Sequence, residues 1–489
     1  MASSLLPLRY SELMQTLDPE LCRRARLARD HRFDGEFFLA VKTTGIYCRP
    51  VCPARPPRES NVRYYRSAAE AAHAGYRPCL RCRPESAPQS PAWRGTETTV
   101  GRALQLINEG YLNHQPLSAL AERLGVGERY LRKLFKAKVG VAPITVAQTQ
   151  RLHFAQKLLL ETSLPLTQVA FASGFGSVRR FNSATRASFG CAASELRRRP
   201  GASRGMTGIT LELSYRPPYD WDAVFAFFSR HAVAGIEAVT DGVYLRHLRT
   251  SSGCAVIRVW PHPRKHALNL HLQMSDYGEL MAIVATVRRM FDLDAQPGDI
   301  STALQADPAL APLVMQRPGV RSPVTASPFE SCVRAVLGQQ VSTEAARKLC
   351  GALIAASGST IEVEGERLAV FPTPAQLASV PDSALKMPGS RRQTMRTICD
   401  YFAEADAGDA ERVLADLAAM RGIGPWTINL LAMRGYGDPD RFPGADLALL
   451  KAAATLGIDS KKELEDRSRS WQPWRSYAAN LLWRSLSNG

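Results

Sequence analysis

The chain has 489 residues, 45% of them hydrophobic and 22% charged, enough for about three domains with ordinary cores and far from a disordered polyelectrolyte or a disulfide-stapled peptide. Lys+Arg exceed Asp+Glu by 62 to 45, a formal net charge of +17, which points to a polyanionic partner. The excess is uneven: 31 basic against 15 acidic residues up to Pro200, a balance of +16, then 31 against 30, a balance of +1.

The opening residues Met1–Gln15 have no charged stretch followed by a long apolar run, so no secretory signal is expected and the protein is expected in the cytoplasm, associated with the nucleoid. In that reducing setting cysteines read as metal ligands or small buried residues rather than disulfides. Cys48, Cys52, Cys79 and Cys82 form a C-x3-C and a C-x2-C pair separated by 26 residues. Each pair can grip one edge of a tetrahedron, so the spacing predicts one Zn²⁺ held by four thiolates. Cys22, Cys191, Cys254, Cys332, Cys350 and Cys399 stand singly among apolar residues and read as core.

Two Pro-, Gly- and Ser-rich stretches, Pro84–Pro91 and Arg197–Gly208, read as linkers. Between them apolar residues recur at helical spacing, as in Leu117, Leu120, Ala121 and Leu124. Pro116–Val126 followed by Gly127–Lys136 has the form of helix, glycine turn, helix, with Gly125 supplying the left-handed backbone. About fifty residues later Leu166–Ser177 and Val178–Arg186 repeat it around Gly174. Two such units on the +16 half predict double-stranded DNA as partner. Arg129, Arg132, Lys133 and Lys136, then Ser177, Arg179, Arg180, Asn182 and Arg186, would face it, some touching only phosphate.

After the second linker, alternating runs such as Ile209–Tyr215 and Ala267–Leu272 predict strands, and from about Pro328 the pattern turns helical. Gly422-Ile423-Gly424 lies between two helical stretches, Val413–Met420 and Trp426–Met433, where a tight turn can press its amides on a DNA phosphate. Asp446 precedes the helix starting at Leu447 and reads as its N-cap. The longest stretch without charge, Thr162–Val178, contains Ser, Thr, Gln and Pro, so no membrane span is expected.

Three stretches carry family resemblance. Asp34–Arg55, with Asn61–Tyr65 and Gly75–Cys82, resembles the N-terminal domain of the Ada DNA-methylation response proteins, which implies that Cys48 irreversibly accepts a methyl group from a DNA phosphotriester. Around it lie Arg49, Arg55, Arg63, Arg77, Arg81 and Arg83, with Arg49 and Arg77 expected on DNA. The two helix-turn-helix units, with Val146–Thr162 and Phe189–Leu196, resemble the AraC-type DNA-binding domain, which implies transcriptional activation with RNA polymerase as a partner.

From about Thr207 onward, Thr210–Trp221, Ser327–Ser342, Met420–Asn429 and Trp474–Ala478 resemble AlkA-type 3-methyladenine DNA glycosylases. The resemblance implies Asp446 as catalytic carboxylate, Trp426, Leu430 and Trp483 around the flipped base, and Gln340 as the wedge residue. Leu430 stands where the best-known member of that family has a Tyr, and Gln340 where the resemblance implies an apolar wedge. Trp426 stands where strand-cleaving relatives place a Schiff-base Lys, which implies a monofunctional enzyme. No Pro-Cys-His-Arg motif is present, so removal of O6-methylguanine lesions is not expected.

The expected fold is multidomain α+β: a small zinc-binding α/β domain over 1–91, an all-α double helix-turn-helix domain over 92–199, a small antiparallel sheet domain over 207–325 and a helical helix-hairpin-helix glycosylase core over 326–489. Two readings follow: a repair enzyme fused to its own regulator, or a regulator whose glycosylase half is catalytically idle.

Overall fold

The computed structural model describes residues 17–79, 81–82, 84, 87, 99–197, 208–363 and 366–486. Arg83, most of both expected linkers and the expected boundaries at 91/92 and 199/207 lie outside the described residues. The N-terminal module is a four-stranded sheet in the order Val62–Tyr65, Phe38–Val41, Ile46–Cys48, Arg77–Pro78. The first three strands are antiparallel and the last pairs in parallel with Ile46–Cys48. Helix Ala68–His73 covers one face, started by the Ser67 side chain, which accepts from the Glu70 amide.

The two helix-turn-helix units are built alike. Helices Leu117–Arg123 and Glu128–Val139 form the first, Leu166–Ala172 and Val178–Phe189 the second. Gly125 (φ +68°) and Gly174 (φ +79°) make the left-handed turns. The second helix of each buries a residue every four positions: Leu131, Phe135 and Val139 in one, Phe181, Thr185 and Phe189 in the other. The 19-residue helix Pro143–Glu161 joins the units.

The third part opens with a five-stranded antiparallel sheet in the order Ile209–Ser214, Ala267–Gln273, Gly253–Pro261, Val243–Thr250, Glu237–Thr240. Register pairs Ile209 with Leu272, Leu211 with Leu270 and Leu213 with Leu268, so one face is a leucine layer. Helices appear earlier than expected, at Trp221–His231, Leu280–Met290, Pro297–Gln305 and Ala311–Gln316, and a short hairpin, Thr360–Val363 with Glu366–Ala369, interrupts the helical core. Run-on apolar segments such as Leu280–Met290 do not separate helix from strand by periodicity.

The leucine layer does not face a private core. Leu158 and Leu159 of the joining helix, with Val169, Phe181 and Phe189 of the second helix-turn-helix unit, share one continuous apolar cluster with Leu211, Leu270, Val287 and Phe291 of the sheet part. Of the six single cysteines, Cys191 is partly exposed and the other five are buried. Among the described residues no helix is long and apolar enough to cross a membrane.

Candidate metal centre and nucleic-acid cleft

Strand Ile46–Cys48 ends at Cys48, and a turn closed by the Cys52 amide on the Arg49 carbonyl (3.1 Å) returns Cys52 toward it. The Cys79 amide donates to the Tyr47 carbonyl at 2.9 Å, which brings the second pair alongside. The ligand sulfurs of Cys48, Cys52, Cys79 and Cys82 all lie within 4.8 Å of one another, compatible with thiolates at about 2.3 Å from a central Zn²⁺. As bare thiols they would conflict: hydrogen bonding within the set, with Cys48 foremost, pushes Cys79 far down and Cys82 far up. A central divalent cation removes the conflict by taking all four as thiolates.

The Arg49 amide donates to Cys82 Sγ (3.4 Å), and its guanidinium donates to the buried Asp34 carboxylate (2.8 Å) and the Cys82 carbonyl (3.2 Å). It braces the centre from within rather than standing free on the surface. Arg55, Arg63, Arg77 and Arg81 are exposed. Arg77 lies against the end of helix Val178–Phe189, where a Cβ added at Gly190 would stand 2.6 Å from Arg77 Nη1. Tyr47, buried beside Cys48, shares a hydrogen bond of 2.5 Å with His153 Nε2 on helix Pro143–Glu161, and burial holds that imidazole down to about 4.

Arg129, Arg132, Lys133 and Lys136 are all exposed and share one face of helix Glu128–Val139. Arg132 is paired to Glu128 at 2.5 Å. On the second unit Arg179, Arg180, Asn182 and Arg186 are exposed, while the Ser177 hydroxyl caps its helix by accepting from the Arg180 amide at 3.2 Å.

The remaining predicted residues meet in one cleft of about 1520 Å³, lined among others by Gln340, Gly422, Gly424, Trp426, Leu430, Asp446 and Trp483. Asp446 does cap the helix Leu447–Ala454: its Oδ1 accepts from the Ala448 and Leu449 amides, each at 3.0 Å. The same carboxylate accepts from two indoles, Trp483 Nε1 on Oδ1 (3.0 Å) and Trp426 Nε1 on Oδ2 (3.0 Å). Every partner is a donor, an arrangement that suits a carboxylate and fixes both tryptophans around it.

The hairpin needs glycine at 422, where φ is +89° and an added Cβ would stand 2.1 Å from Thr394 Oγ1. Gln340 is exposed with φ +56° at the tip of the loop between helices Pro328–Leu337 and Thr343–Ser357. Its neighbour Gln339, which the sequence did not single out, ties that loop to the hairpin, Nε2 donating to the Gly422 carbonyl (2.9 Å) and Thr427 Oγ1 (3.1 Å). Also missed was Arg434, whose guanidinium lies 5.3 Å above the Trp483 ring and 4.5 Å above Phe227; burial lowers it to about 10. Gln339 sits in the resembling stretch Ser327–Ser342 and Arg434 in none, and the contacts of both come from the fold.

A family model described as the metal binding domain of Ada matches residues 21–85, a helix-turn-helix domain matches 120–199 and an AlkA N-terminal domain matches 210–327. The "probable bifunctional transcriptional activator/DNA repair enzyme AlkA" of Mycobacterium tuberculosis is 41% identical over 483 residues, 96% of this chain and 97% of that protein. "DNA-3-methyladenine glycosylase 2" of Escherichia coli is 31% identical over 55% of this chain and 95% of its own length. A solved 3-methyladenine DNA glycosylase from Archaeoglobus fulgidus superposes with a TM-score of 0.50 at 18% identity, covering 56% of this chain and 96% of that one, a likeness of fold. The four-cysteine cluster within the Ada-type domain is a site for one Zn²⁺.

Proposed function

Since the chain belongs to the family of bifunctional transcriptional activator/DNA repair proteins that join Ada-type and AlkA-type parts, we propose that it repairs alkylated DNA by two chemistries and activates the genes that answer the damage. In the first, the Cys48 thiolate attacks the methyl carbon of a DNA methylphosphotriester; a C–S bond forms, the C–O bond breaks, and the phosphodiester anion leaves. The cysteine stays methylated, so each chain acts once. Bound Zn²⁺ supplies the ionised thiol at neutral pH.

Four thiolates on a divalent cation carry a formal −2, which repels phosphate; methylation of Cys48 leaves −1. The exposed Arg55, Arg63, Arg77 and Arg81 then dominate the local field and DNA binding strengthens. Arg129, Arg132, Lys133 and Lys136 with Arg179, Arg180 and Asn182 read or grip the promoter, Ser177 keeping its helix capped, and activation engages RNA polymerase. Arg49 acts as a brace on the centre.

In the second chemistry the hairpin amides at Gly422 and Gly424 hold a phosphate, the Gln340 loop occupies the vacated stack, and the flipped alkylated base lies among Trp426, Leu430 and Trp483. The Asp446 carboxylate stabilises the cationic sugar as the glycosidic bond breaks and orients the water that adds to it. With Trp426 where a nucleophilic Lys would stand, the strand is not cut. In this assignment the acceptor domain spans 1–91, the helix-turn-helix domain 92–199, the sheet domain 207–325 and the excision core 326–489.

The observation that carries the excision reading is Asp446 held by two amides and two indoles inside a cleft that also contains the glycine hairpin. Incubating the purified protein with methylated duplex DNA should give a mass gain of one methyl on Cys48 and free 3-methyladenine in solution. No mass gain refutes the acceptor role; no free base refutes excision and leaves a regulator.

A further inference from the structure

The metal centre and the cleft are joined through one arginine by a series of contacts and one short run of backbone. Beside the centre, Arg49 donates to the Asp34 carboxylate (2.8 Å). The Asp34 carbonyl accepts from Arg216 Nε at 2.9 Å, across the interface between the metal-binding module and the sheet part. Arg216 is wholly buried, and its Nη2 pairs with the equally buried Glu36 at 2.7 Å. It also donates to the Asp294 carbonyl (3.1 Å), while its own carbonyl accepts from Arg321 Nη2 (2.8 Å).

From Arg321 the chain continues along the wall of the cleft, which Arg321, Pro323, Val324 and Thr325 line. The Pro323 carbonyl accepts from Arg434 Nη1 at 2.8 Å, the Arg434 guanidinium lies over the Trp483 ring, and Trp483 Nε1 donates to Asp446 Oδ1 at 3.0 Å. Removing one member of a buried ion pair leaves the other charge uncompensated and is strongly destabilising. The carboxylate paired with Arg216 belongs to the other module. A module built on four thiolates around a cation folds with that cation, so the placement of Arg216 depends on the metal centre being intact.

We propose that Arg216 is a positioning residue for base excision: through its pairing with Glu36 the zinc-loaded module holds the wall that carries Arg434 and Trp483, and hence the geometry at Asp446. The proposal rests on the excision reading above and adds its regulation. Packed networks of this kind transmit only if both ends bias the same element; here that element is the segment Gly319–Thr325. Loss of zinc or of the Arg216–Glu36 pair would slacken it.

The test uses the full-length, zinc-loaded protein with Arg216→Gln, Glu36→Gln, the double variant and Arg216→Lys. Two quantities are read: single-turnover release of 3-methyladenine, and hydrogen exchange of the Val324 and Thr325 amides, which donate to the Met290 and Arg434 carbonyls. Chelating zinc from the wild type should slow release and speed exchange about tenfold. Arg216→Gln should do both with zinc still bound, Glu36→Gln should match it, and the double variant should be no worse than either. Binding to a duplex containing an abasic site should not change, and Arg216→Lys should recover part of the release. If Arg216→Gln retains wild-type release and exchange, or still responds to zinc removal, the proposal falls. Should Arg216→Gln unfold globally, seen as lost protection along helix Pro143–Glu161, Glu36→Gln and Arg216→Lys decide the question by the same two readouts. A wild type that releases no base refutes excision, while the exchange data still decide whether Arg216 links the two sites.

Discussion

Replacing Asp446 by Asn turns one acceptor oxygen into a donor and leaves the rest of the side chain in place. Asn caps a helix about as well as Asp, so the Ala448 and Leu449 amides keep their acceptor, as does the Trp483 indole on the same oxygen. At the other position the Trp426 indole N–H, now 3.0 Å from a carboxylate oxygen, would face an amide NH2. One unmade hydrogen bond at a partly buried donor costs about 1–3 kcal/mol, a modest loss that leaves the fold intact. The chemical cost is larger. Removing a group preorganised toward developing charge is worth roughly 10²–10³ in rate. The variant should therefore melt slightly below the wild type, bind a duplex containing an abasic site as before, and release 3-methyladenine at least a hundredfold more slowly, roughly the low end of that range. Single-turnover base release measured beside a binding isotherm checks this. Undiminished release would refute the assignment, and release lost together with DNA binding would show that Asp446 serves the architecture alone.

Cys48→Ala should abolish transfer of radiolabelled methyl from methylated DNA to the protein and, with it, induction of the target promoter, while base release continues, at the wild-type rate where the other three cysteines keep the metal and at the zinc-free rate where they do not. Gln340→Leu restores an apolar tip to the wedge loop and should speed excision of lesions that are stably paired more than lesions opposite an abasic site; equal effects on both would remove Gln340 from base extrusion. Asp299 is a carboxyl pushed up to about 7, chiefly by burial and then by Glu36. Its ionised form is disfavoured in the fold, so the folded protein holds this proton where the unfolded chain releases it. Stability from this group is present below the unfolded value near 4 and is lost as the pH rises through about 7. Asp299→Asn should thus become progressively more stable relative to the wild type between pH 4 and pH 7 in denaturant titrations, with the difference levelling above pH 8.

What could be read from the sequence was local. Two cysteine pairs, a glycine between helices and an aspartate before a helix are each defined within a few residues, and the structure forms a cluster, two left-handed turns and an N-cap at those places. The partners of those groups were not legible, because they lie far away in sequence. Arg49 meets Asp34, Asp446 meets Trp426 and Trp483, and Arg216 meets Glu36. Composition shows that Arg49 is basic; only the fold shows that its charge is already taken. Periodicity has the same limit. It marks Phe181 and Leu211 as buried without saying that they are buried against the same core.

The shared core also changes the meaning of the uneven charge. A balance of +16 before Pro200 and +1 after it describes what the surfaces meet, and it suggests two independent bodies. Among the described residues, three partly exposed ion pairs, Arg102–Asp409 (3.0 Å), Arg123–Asp406 (2.5 Å) and Arg289–Glu109 (2.6 Å), bridge the halves beside the buried Arg216–Glu36 pair (2.7 Å). The exposed pairs contribute about 0–1 kcal/mol each and weaken with salt. A single Leu or Phe taken out of water contributes about 1.5–3 kcal/mol, and the common cluster draws many from both sides. Apolar packing therefore dominates the relative placement of the halves, and the exposed ion pairs only trim it. Helix Val178–Phe189 exposes Arg179, Arg180 and Asn182 away from the face that buries Phe181 and Phe189 in that cluster. A chain held on a promoter by those residues would carry its excision cleft in a fixed relation to the bound DNA, as one body with two working faces.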